Sequence, residues 1–433
     1  MTIPINNLAA SAKALQSDQI DLQDYLDLLE KRIDEREPDV KAFLEEEGRF
    51  NRLREQVQTL LEQYPEPDTR PVLFGIPVGV KDIFTVRGFE TRAGSQLPAK
   101  EFKSHEAESI KRLKDAGALI LGKTISAEFA YIAPGVTCNP HNESHTPGGS
   151  SSGSAAAVGA GMCALSLGTQ TVGSINRPAA YCGVVGFKPS YERISRVGVV
   201  PVSESLDHVG FFTSDVQSAE LAASVLLKDW KDTPADHQPV LAVPEGPYLE
   251  RVSPDGRASF EDTCETLLAA GYEVKRISVM PDFDDIINRH MTIMSAEAAW
   301  AHFNWFGRYG HLYHEKTTAL IRQGMDVPGL ELKSALPGRE DLRRELMAAM
   351  AESNIDLWIA PAATGTAPKG LESTGDSIMN LPWTHCGLPA LNLPSNKDEK
   401  GLPFGLQIVG KWHEDESLLA HSTNIEKALG FEI

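Results

Sequence analysis

The sequence predicts an α/β fold in which a mixed, mostly open, twisted β-sheet is covered by helices on both faces. A chain of 433 residues that is 42% hydrophobic can bury a large core. Helix–glycine–strand units recur, at 104–121 and again where SFEDTCETLLAAG precedes YEVKRISV, and such alternation is typical of α/β proteins. Apolar runs near the C-terminus, within DLWIAPAATG and CGLPALNLPS, are predicted to close the sheet. We expect a helical arm at 1–65 packed on a single domain at 66–433.

The arm is predicted to be helical from Asp21 to Glu62, because apolar residues recur there at helical spacing. Pro38 is expected to interrupt the first helix, since proline lacks the backbone N–H that a helix interior needs. A second amphipathic helix is predicted from Arg49 to Leu61. We expect these helices to pack on the surface of the domain.

A strand with an embedded turn is predicted within LFGIPVGVKDIF. Side chains alternate along a strand, so Lys81 and Asp82 should point in opposite directions. Because Lys81 follows a run of apolar residues, it is a candidate for burial.

The first helix–strand unit is predicted to begin with Ser104 as N-cap and to end its helix at Gly117. The residues from Gly117 to Thr124, GALILGKT, match the phosphate-loop pattern. A phosphate loop presents backbone N–H groups between a strand and a helix. Here the intervening residues are themselves an apolar strand, which argues against nucleotide binding.

An aromatic- and histidine-rich helical segment is predicted from Asp285 to Gly324, and it includes Trp300, His302 and Phe303. It fits either the wall of a substrate pocket or a surface role, as a helical cover over the core or as a dimer face, and we favour the surface role. A final amphipathic helix is expected at the C-terminus.

Composition restricts the class of partner. The formal net charge of −19 argues against nucleic acid or an anionic membrane as the main partner. Five cysteines without a CxxC pair favour a reducing compartment over a disulfide framework or zinc site. The N-terminus resembles no signal peptide, and no apolar run reaches the length of a membrane span. His141 and His145 lie in a proline-flanked loop, and we interpret them as polar loop residues rather than metal ligands. We therefore expect a cytoplasmic protein with no metal or cofactor.

The stretch at 147–189, PGGSSSGSAAAVGAGMCALSLGTQTVGSINRPAAYCGVVGFKP, is the candidate active site. Glycine within regular structure is unfavourable by about 0.5–1 kcal/mol relative to alanine, which suggests close backbone approach to a ligand. The turn from Thr171 to Ser174 can direct successive backbone N–H groups at one point, as a nest for an anion does. A buried lysine with a lowered pKa can serve as a base.

These motifs resemble the amidase signature family. The stretch at 147–189 is similar to the family's defining signature, and GIPVGVKDIF is similar to the strand that carries its lysine. The resemblance continues through CGLPALNLP and GLPFGLQIVG. Within the family the chain is most similar to malonamidase-like enzymes, because it has GTQT and an Arg-Pro pair soon after the candidate nucleophile.

The resemblance implies a mechanism with three catalytic residues: Lys81 as the base, Ser150 as the relay and Ser174 as the nucleophile. A cis peptide bond between Gly149 and Ser150 is implied as well. The backbone N–H groups of Thr171, Val172, Gly173 and Ser174 would stabilise the oxyanion.

Three further positions bear on the substrate. Arg177 matches the residue that binds a substrate carboxylate in malonamidase-like enzymes; the other interpretation is a structural ion pair. The family's usual aspartate in GTDT is replaced by Gln170, which retains hydrogen-bonding groups but lacks the charge. Val172 stands where glycine is usual, so φ should be negative there or the turn strained. Its side chain is expected to narrow the pocket.

The leading hypothesis is an amidohydrolase that converts a small, carboxylate-bearing amide into an acid and ammonia. Such an enzyme would bind the amide substrate and water and would need no cofactor. We expect it to form a homodimer. A second hypothesis is the glutaminase component of an amidotransferase, or a carboxybiuret or urea-derivative hydrolase, that needs a small partner subunit. A third, from another class, is a catalytically silent or nucleotide-binding protein.

Overall fold

A computed structural model of the protein describes residues 5–431, and ten strands within that range form a single sheet. The strands are β1 (Pro77–Lys81), β2 (Leu119–Thr124), β3 (Ser166–Gln170), β4 (Val185–Lys188), β5 (His208–Thr213), β6 (Leu241–Glu245), β7 (Val274–Ser278), β8 (Leu357–Pro361), β9 (Ala390–Lys397) and β10 (Pro403–Val409). Their order across the sheet is β2-β1-β3-β5-β4-β9-β10-β8-β6-β7.

The sheet is mixed, as predicted. At one end β1 lies parallel between β2 and β3, and at the other end β6 lies parallel between β7 and β8. The strands between these ends pair antiparallel, from β3 through β5, β4, β9 and β10 to β8. The carboxyl ends of β1, β2 and β3 therefore share one edge, which is where open α/β sheets bind ligands.

Fourteen α-helices flank this sheet within the described residues. They are α1 (Leu8–Gln16), α2 (Leu22–Val40), α3 (Arg49–Gln63), α4 (Glu108–Asp115), α5 (Ser152–Gly159), α6 (Asn176–Cys182), α7 (Val216–Leu226), α8 (Pro254–Ala269), α9 (Phe283–Tyr309), α10 (Glu315–Asp326), α11 (Gly329–Ala335), α12 (Gly338–Glu352), α13 (Leu381–His385) and α14 (Asp415–Leu429). Helix α5 packs against β1, β2, β3 and β5, α7 packs against β4 and β5, and α8 and α14 pack against β9 and β10. None of the helices in residues 5–431 has both the length and the hydropathy to cross a bilayer.

The arm consists of α1, α2 and α3, and residues 1–4 of the predicted arm lie outside the described range. Its apolar side chains, such as Tyr25, Leu26 and Leu53, join the same hydrophobic core as the sheet. An isolated antiparallel bridge between Phe43 and Thr124 joins the segment after α2 to β2, and α3 packs on the same strand. The division into an arm and one domain stays a prediction.

Two predictions about helix ends were wrong. Ser104 does not cap a helix, because α4 begins at Glu108 with Ala107 at the N-cap; the preceding 3₁₀ turn, Ala99–Phe102, and an extended segment take its place. Pro38 does not interrupt α2, which continues to Val40. Proline is tolerated there because it lies in the last turn, where its missing N–H removes only one hydrogen bond.

The resemblance to a phosphate loop has a structural explanation. Residues 119–124 form the continuous buried strand β2, and Lys123 on that strand forms an ion pair with Asp82 at 2.9 Å. Gly117 has a φ of +89° and follows the last turn of α4. Gly117 therefore allows the chain to reverse between α4 and β2. Lys123 is buried and forms an ion pair with Asp82, so it does not project toward a phosphate site.

Candidate active site

Lys81 is the last residue of β1, and its side chain has no exposed surface. Its Nζ donates hydrogen bonds to Ser150 Oγ at 2.8 Å and to Thr169 Oγ1 at 2.9 Å. Asp82, the next residue, forms its ion pair with Lys123 instead. The two neighbours thus point in opposite directions, as strand alternation predicted.

Burial lowers the pKa of Lys81 well below its ordinary value, while the nearby charge of Asp207 acts in the opposite direction. Desolvation disfavours the charged ammonium, so burial shifts the equilibrium toward the neutral amine. A neutral amine has a lone pair that can accept the proton of a bonded hydroxyl. This geometry suits Lys81 to act as a base toward Ser150.

Ser150 lies in the turn that leads into α5, and the Gly149–Ser150 peptide bond is cis, as the resemblance implied. The next residue, Ser151, holds this turn against the end of β3. Its Oγ donates to Thr169 O at 3.1 Å and accepts from Thr169 N at 3.2 Å. The relay serine and the end of β3 are therefore fixed to one another.

Gln170 organises the turn that carries Ser174. Its Oε1 accepts hydrogen bonds from Ile175 N at 2.8 Å and Asn176 N at 3.0 Å, while its Nε2 donates to Thr384 Oγ1 at 3.0 Å. Thr384 Oγ1 in turn donates to Val172 O at 2.6 Å. The neutral amide of Gln170 therefore supplies an acceptor for the N–H groups at the start of α6. It also supplies a donor to Thr384, which in turn binds the carbonyl of Val172 in the turn.

The backbone N–H groups of Thr171, Val172, Gly173 and Ser174 donate to no partner among the described residues. Four successive donors without protein partners form the arrangement that an oxyanion hole needs. A Cβ atom at position 173 would lie 2.3 Å from Asn380 Oδ1, so the close approach of the turn at 171–174 to Asn380 requires glycine there. Val172 is not among the residues with positive φ, as expected for a β-branched side chain.

Arg177 is buried, with 2% of its surface exposed. Its Nη1 donates to Gly375 O at 2.6 Å, and its Nη2 donates to Gly149 O at 2.5 Å and to Thr374 Oγ1 at 3.2 Å. The guanidinium thus connects the Gly149–Ser150 peptide to the segment at 374–375. Both terminal nitrogens donate to uncharged oxygens of the chain rather than to a carboxylate side chain, so Arg177 forms no ion pair within residues 5–431.

A cavity of about 420 Å³ opens at the same sheet edge as Lys81. Its walls include Ile83, Thr169, Val202, Asp207 and Val209. Thr169 both lines the cavity and accepts the hydrogen bond from Lys81. Lys81, Ser150, Ser174 and Val172 are not part of its walls, and Thr169 connects the cavity to Lys81 through their hydrogen bond.

The sequence predictions missed three residues of this site: Thr169, Asp207 and Asn380. Thr169 and Thr171 alternate at the end of a strand, which was a signal that their hydroxyls share one face. Asp207 and Asn380 gave no signal, because their partners are distant in sequence. The predicted loop histidines bind the chain itself, His141 to Cys182 O and His145 to Ser144 Oγ.

Comparison with known proteins gives matches over nearly the whole chain. The family model described as Amidase matches residues 24–419. A glutamyl-tRNA(Gln) amidotransferase subunit of Synechococcus sp. (strain WH7803) is 32% identical, with 97% of this chain and 96% of that protein covered. A crystal structure of an amidase has a TM-score of 0.87 at 31% identity, covering 97% of this chain and 99% of that one.

A second solved structure, at 26% identity and a TM-score of 0.85, covers 97% of this chain and 98% of its own. It is described as a vestigial protein complex that reveals the evolutionary origins of an s-triazine catabolic enzyme.

Replacing Gln170 tests the support of the turn. Gln170→Leu leaves the N–H groups of Ile175 and Asn176 without an acceptor in a buried site. We expect the free energy of unfolding in urea to fall by about 2–4 kcal/mol, since each unsatisfied buried donor costs about 1–3 kcal/mol. The control is Gln217→Leu on the exposed face of α7, which should change stability by less than about 0.5 kcal/mol. Equal effects of the two variants would contradict this assignment.

Proposed function

The chain belongs to the Amidase family and is a hydrolase of C–N amide bonds, and we propose that it converts a small amide into an acid and ammonia through a covalent intermediate on Ser174. The observation that carries the proposal is the 2.8 Å hydrogen bond between the fully buried amine of Lys81 and Ser150 Oγ. The unpaired backbone donors of residues 171–174 complement it within the described chain. A cavity of about 420 Å³ lies within the size range of small-molecule sites.

The proposed reaction has two halves. Neutral Lys81 accepts the proton of Ser150 as Ser150 accepts that of Ser174, and Ser174 Oγ attacks the amide carbonyl carbon. The negative charge that develops on the carbonyl oxygen is stabilised by the N–H groups of residues 171–174, each worth about 3–4 kcal/mol in comparable sites. The proton returns through Ser150 to the leaving nitrogen as the C–N bond breaks. Water then attacks the acyl group by the same relay and releases the acid.

The nucleophile is tested by substitution. Ser174→Ala should lower kcat for ammonia release from small amides by at least about 10³-fold, because no other step can form the acyl intermediate. The matched control is Ser144→Ala, an exposed serine in the loop that precedes the site, which should leave kcat unchanged. Ammonia is measured with a coupled dehydrogenase assay over a panel of small amides, ureas and amino-acid amides. Undiminished release by Ser174→Ala would exclude the assigned nucleophile.

The carboxylate-bearing substrate class depends on Arg177. A carboxylate clamp requires at least one terminal nitrogen of Arg177 to leave its present acceptors, Gly149 O and Gly375 O. If it does so, Arg177→Lys should raise KM for malonamate and leave KM for propionamide unchanged. If Arg177 only holds the chain, kcat should fall for both amides by a similar factor. Steady-state kinetics with the two substrates decides between these roles.

A second candidate function is supported by the similarity to amidotransferase subunits. The chain is 32% identical to one such glutamyl-tRNA(Gln) amidotransferase chain over nearly its whole length, and it resembles a chain from a vestigial complex. On this alternative the amide is glutamine or a urea derivative such as a carboxybiuret, and activity requires a small partner subunit. The net charge of −19 makes direct contact with tRNA unfavourable, so a partner would have to provide it.

Purification separates the two functions. We expect the isolated chain to hydrolyse a small amide at full rate. Light scattering of the purified chain should give the mass of a homodimer. In cell fractionation the chain should be found in the cytoplasmic fraction. The exposed Trp300 and Phe303 of α9, with 70% and 66% of their surface accessible, are the expected dimer face. Stoichiometric co-purification of a second polypeptide, with glutaminase activity only in its presence, would instead support the amidotransferase function.

A further inference from the structure

Asp207 is a half-buried carboxylate that contacts two separate parts of the site. Thr171 Oγ1 donates to its Oδ1 at 2.6 Å, and Thr171 supplies the first backbone donor of the proposed oxyanion hole. Val202 N and Ser203 N donate to its Oδ2 at 2.8 and 3.1 Å. Asp207 therefore joins the turn at 171–174 to the wall of the cavity, where Val202 also lies.

The register of the sheet explains this position. The ladder between β3 and β5 ends at the pair Gln170 and His208, and Thr171 and Asp207 continue it by one step. Because side chains alternate along a strand, Thr169 and Thr171 share the face opposite to Gln170. Thr169 binds Lys81 on that face. Asp207 consequently lies on the same side of the sheet as the amine of Lys81.

We propose that Asp207 is a positioning residue for the amide hydrolysis proposed above: it fixes the oxyanion turn through Thr171 and supplies a negative charge that faces Lys81. Donors stabilise a transition state only where they are held in place before the reaction. Gln170 supports the turn at 171–174 from one face of the sheet, and Asp207 supports it from the opposite face. Glu297 of α9 holds the loop at 203–205 beside the cavity, because it accepts hydrogen bonds from Ser203 Oγ at 2.5 Å and Ser205 N at 2.8 Å.

The charges around Asp207 come from several elements. Burial raises the pKa of Asp207, whereas hydrogen bonds from Thr171, Val202 and Ser203 and the charge of Arg196 lower it. Glu297 faces the same loop from α9. Lys188 of β4 acts on His208, whose Nδ1 is bonded to Leu206 O. Of these charges, that of Asp207 is the one that raises the pKa of Lys81 against the effect of burial.

The charge is tested with Asp207→Asn. The asparagine oxygen can accept both backbone N–H groups and its nitrogen can donate to Thr171 Oγ1, so the contacts are retained while the charge is lost. Without that charge the ammonium of Lys81 is less favoured, and Lys81 loses its proton at a lower pH. We expect the acid limb of the pH profile of kcat/KM for a small amide to move down by about one pH unit.

The matched control is Asp415→Asn. Asp415 is a buried aspartate that accepts Ser190 N at 2.7 Å, but it pairs with Arg193 rather than facing Lys81. Its substitution should lower stability and leave the acid limb where it is in the wild type. An acid limb that does not move in Asp207→Asn, or that moves equally in Asp415→Asn, would overturn the electrostatic part of the proposal.

The positioning part is tested with Thr171→Val and Thr171→Ser. Valine removes the hydroxyl and retains the charge of Asp207, so kcat should fall about 10-fold or more with KM nearly unchanged, because the donors act on the transition state. Serine restores the hydroxyl and should restore kcat. Hydrogen–deuterium exchange in the peptide spanning 171–176 should be faster in Thr171→Val than in Thr171→Ser.

The exchange measurement requires no substrate and so separates the two proposals. If the wild-type chain releases no ammonia from any amide but exchange still differs between the two Thr171 variants, the proposed reaction fails and the role of Asp207 in holding the turn stands. If the wild type is active and the exchange rates of the two variants are equal, the proposed reaction stands and Asp207 does not position the turn.

Discussion

The site depends on one constraint: the amine of Lys81 has no exposed surface. Burying an ammonium costs several kcal/mol unless a charge or a set of acceptors compensates for it. Here the direct contacts are two hydroxyls, Ser150 and Thr169, which can bind an amine in either protonation state. Nothing in direct contact with Lys81 among the described residues forces it to remain charged. The strand end, the cis turn and the hydroxyls of Ser150 and Thr169 surround Lys81, and burial among them favours the neutral amine over the ammonium.

The parts that surround Lys81 are held largely by hydrogen bonds to uncharged acceptors. Gln170, where an aspartate is usual in the family, binds two backbone N–H groups through an uncharged oxygen. Arg177 binds carbonyl and hydroxyl oxygens rather than a carboxylate. Each additional fixed charge near Lys81 would change the free energy of its ionisation. These hydrogen bonds therefore end on uncharged oxygens, and Asp207, a carboxylate that accepts from Thr171, is the exception.

Local patterns predicted much of this structure. The mixed sheet, the helices at 22–40 and 49–63, the strand that carries Lys81 and the buried small-residue stretch followed from periodicity and composition, and the cis bond followed from the family resemblance. The contacts of Asp207 and Asn380 were not predictable in that way, because they join residues 36 and 27 positions apart whose proximity is set by strand order. The end of α4 was predictable from Gly117, whereas its start was not, because the 3₁₀ turn and extended segment before it gave no periodic signal.

The strand order also has a consequence for synthesis on the ribosome. In the finished sheet β4 lies between β5 and β9. β5 follows β4 closely in the chain, but β9 begins only at Ala390, about two hundred residues after Lys188. During that interval the emerging N-terminal half presents an apolar strand with one open edge, and such edges pair readily with other chains. A half-sheet that forms during synthesis therefore has an unpaired edge at β4. Molecular chaperones can bind this edge until the last third of the polypeptide has been made.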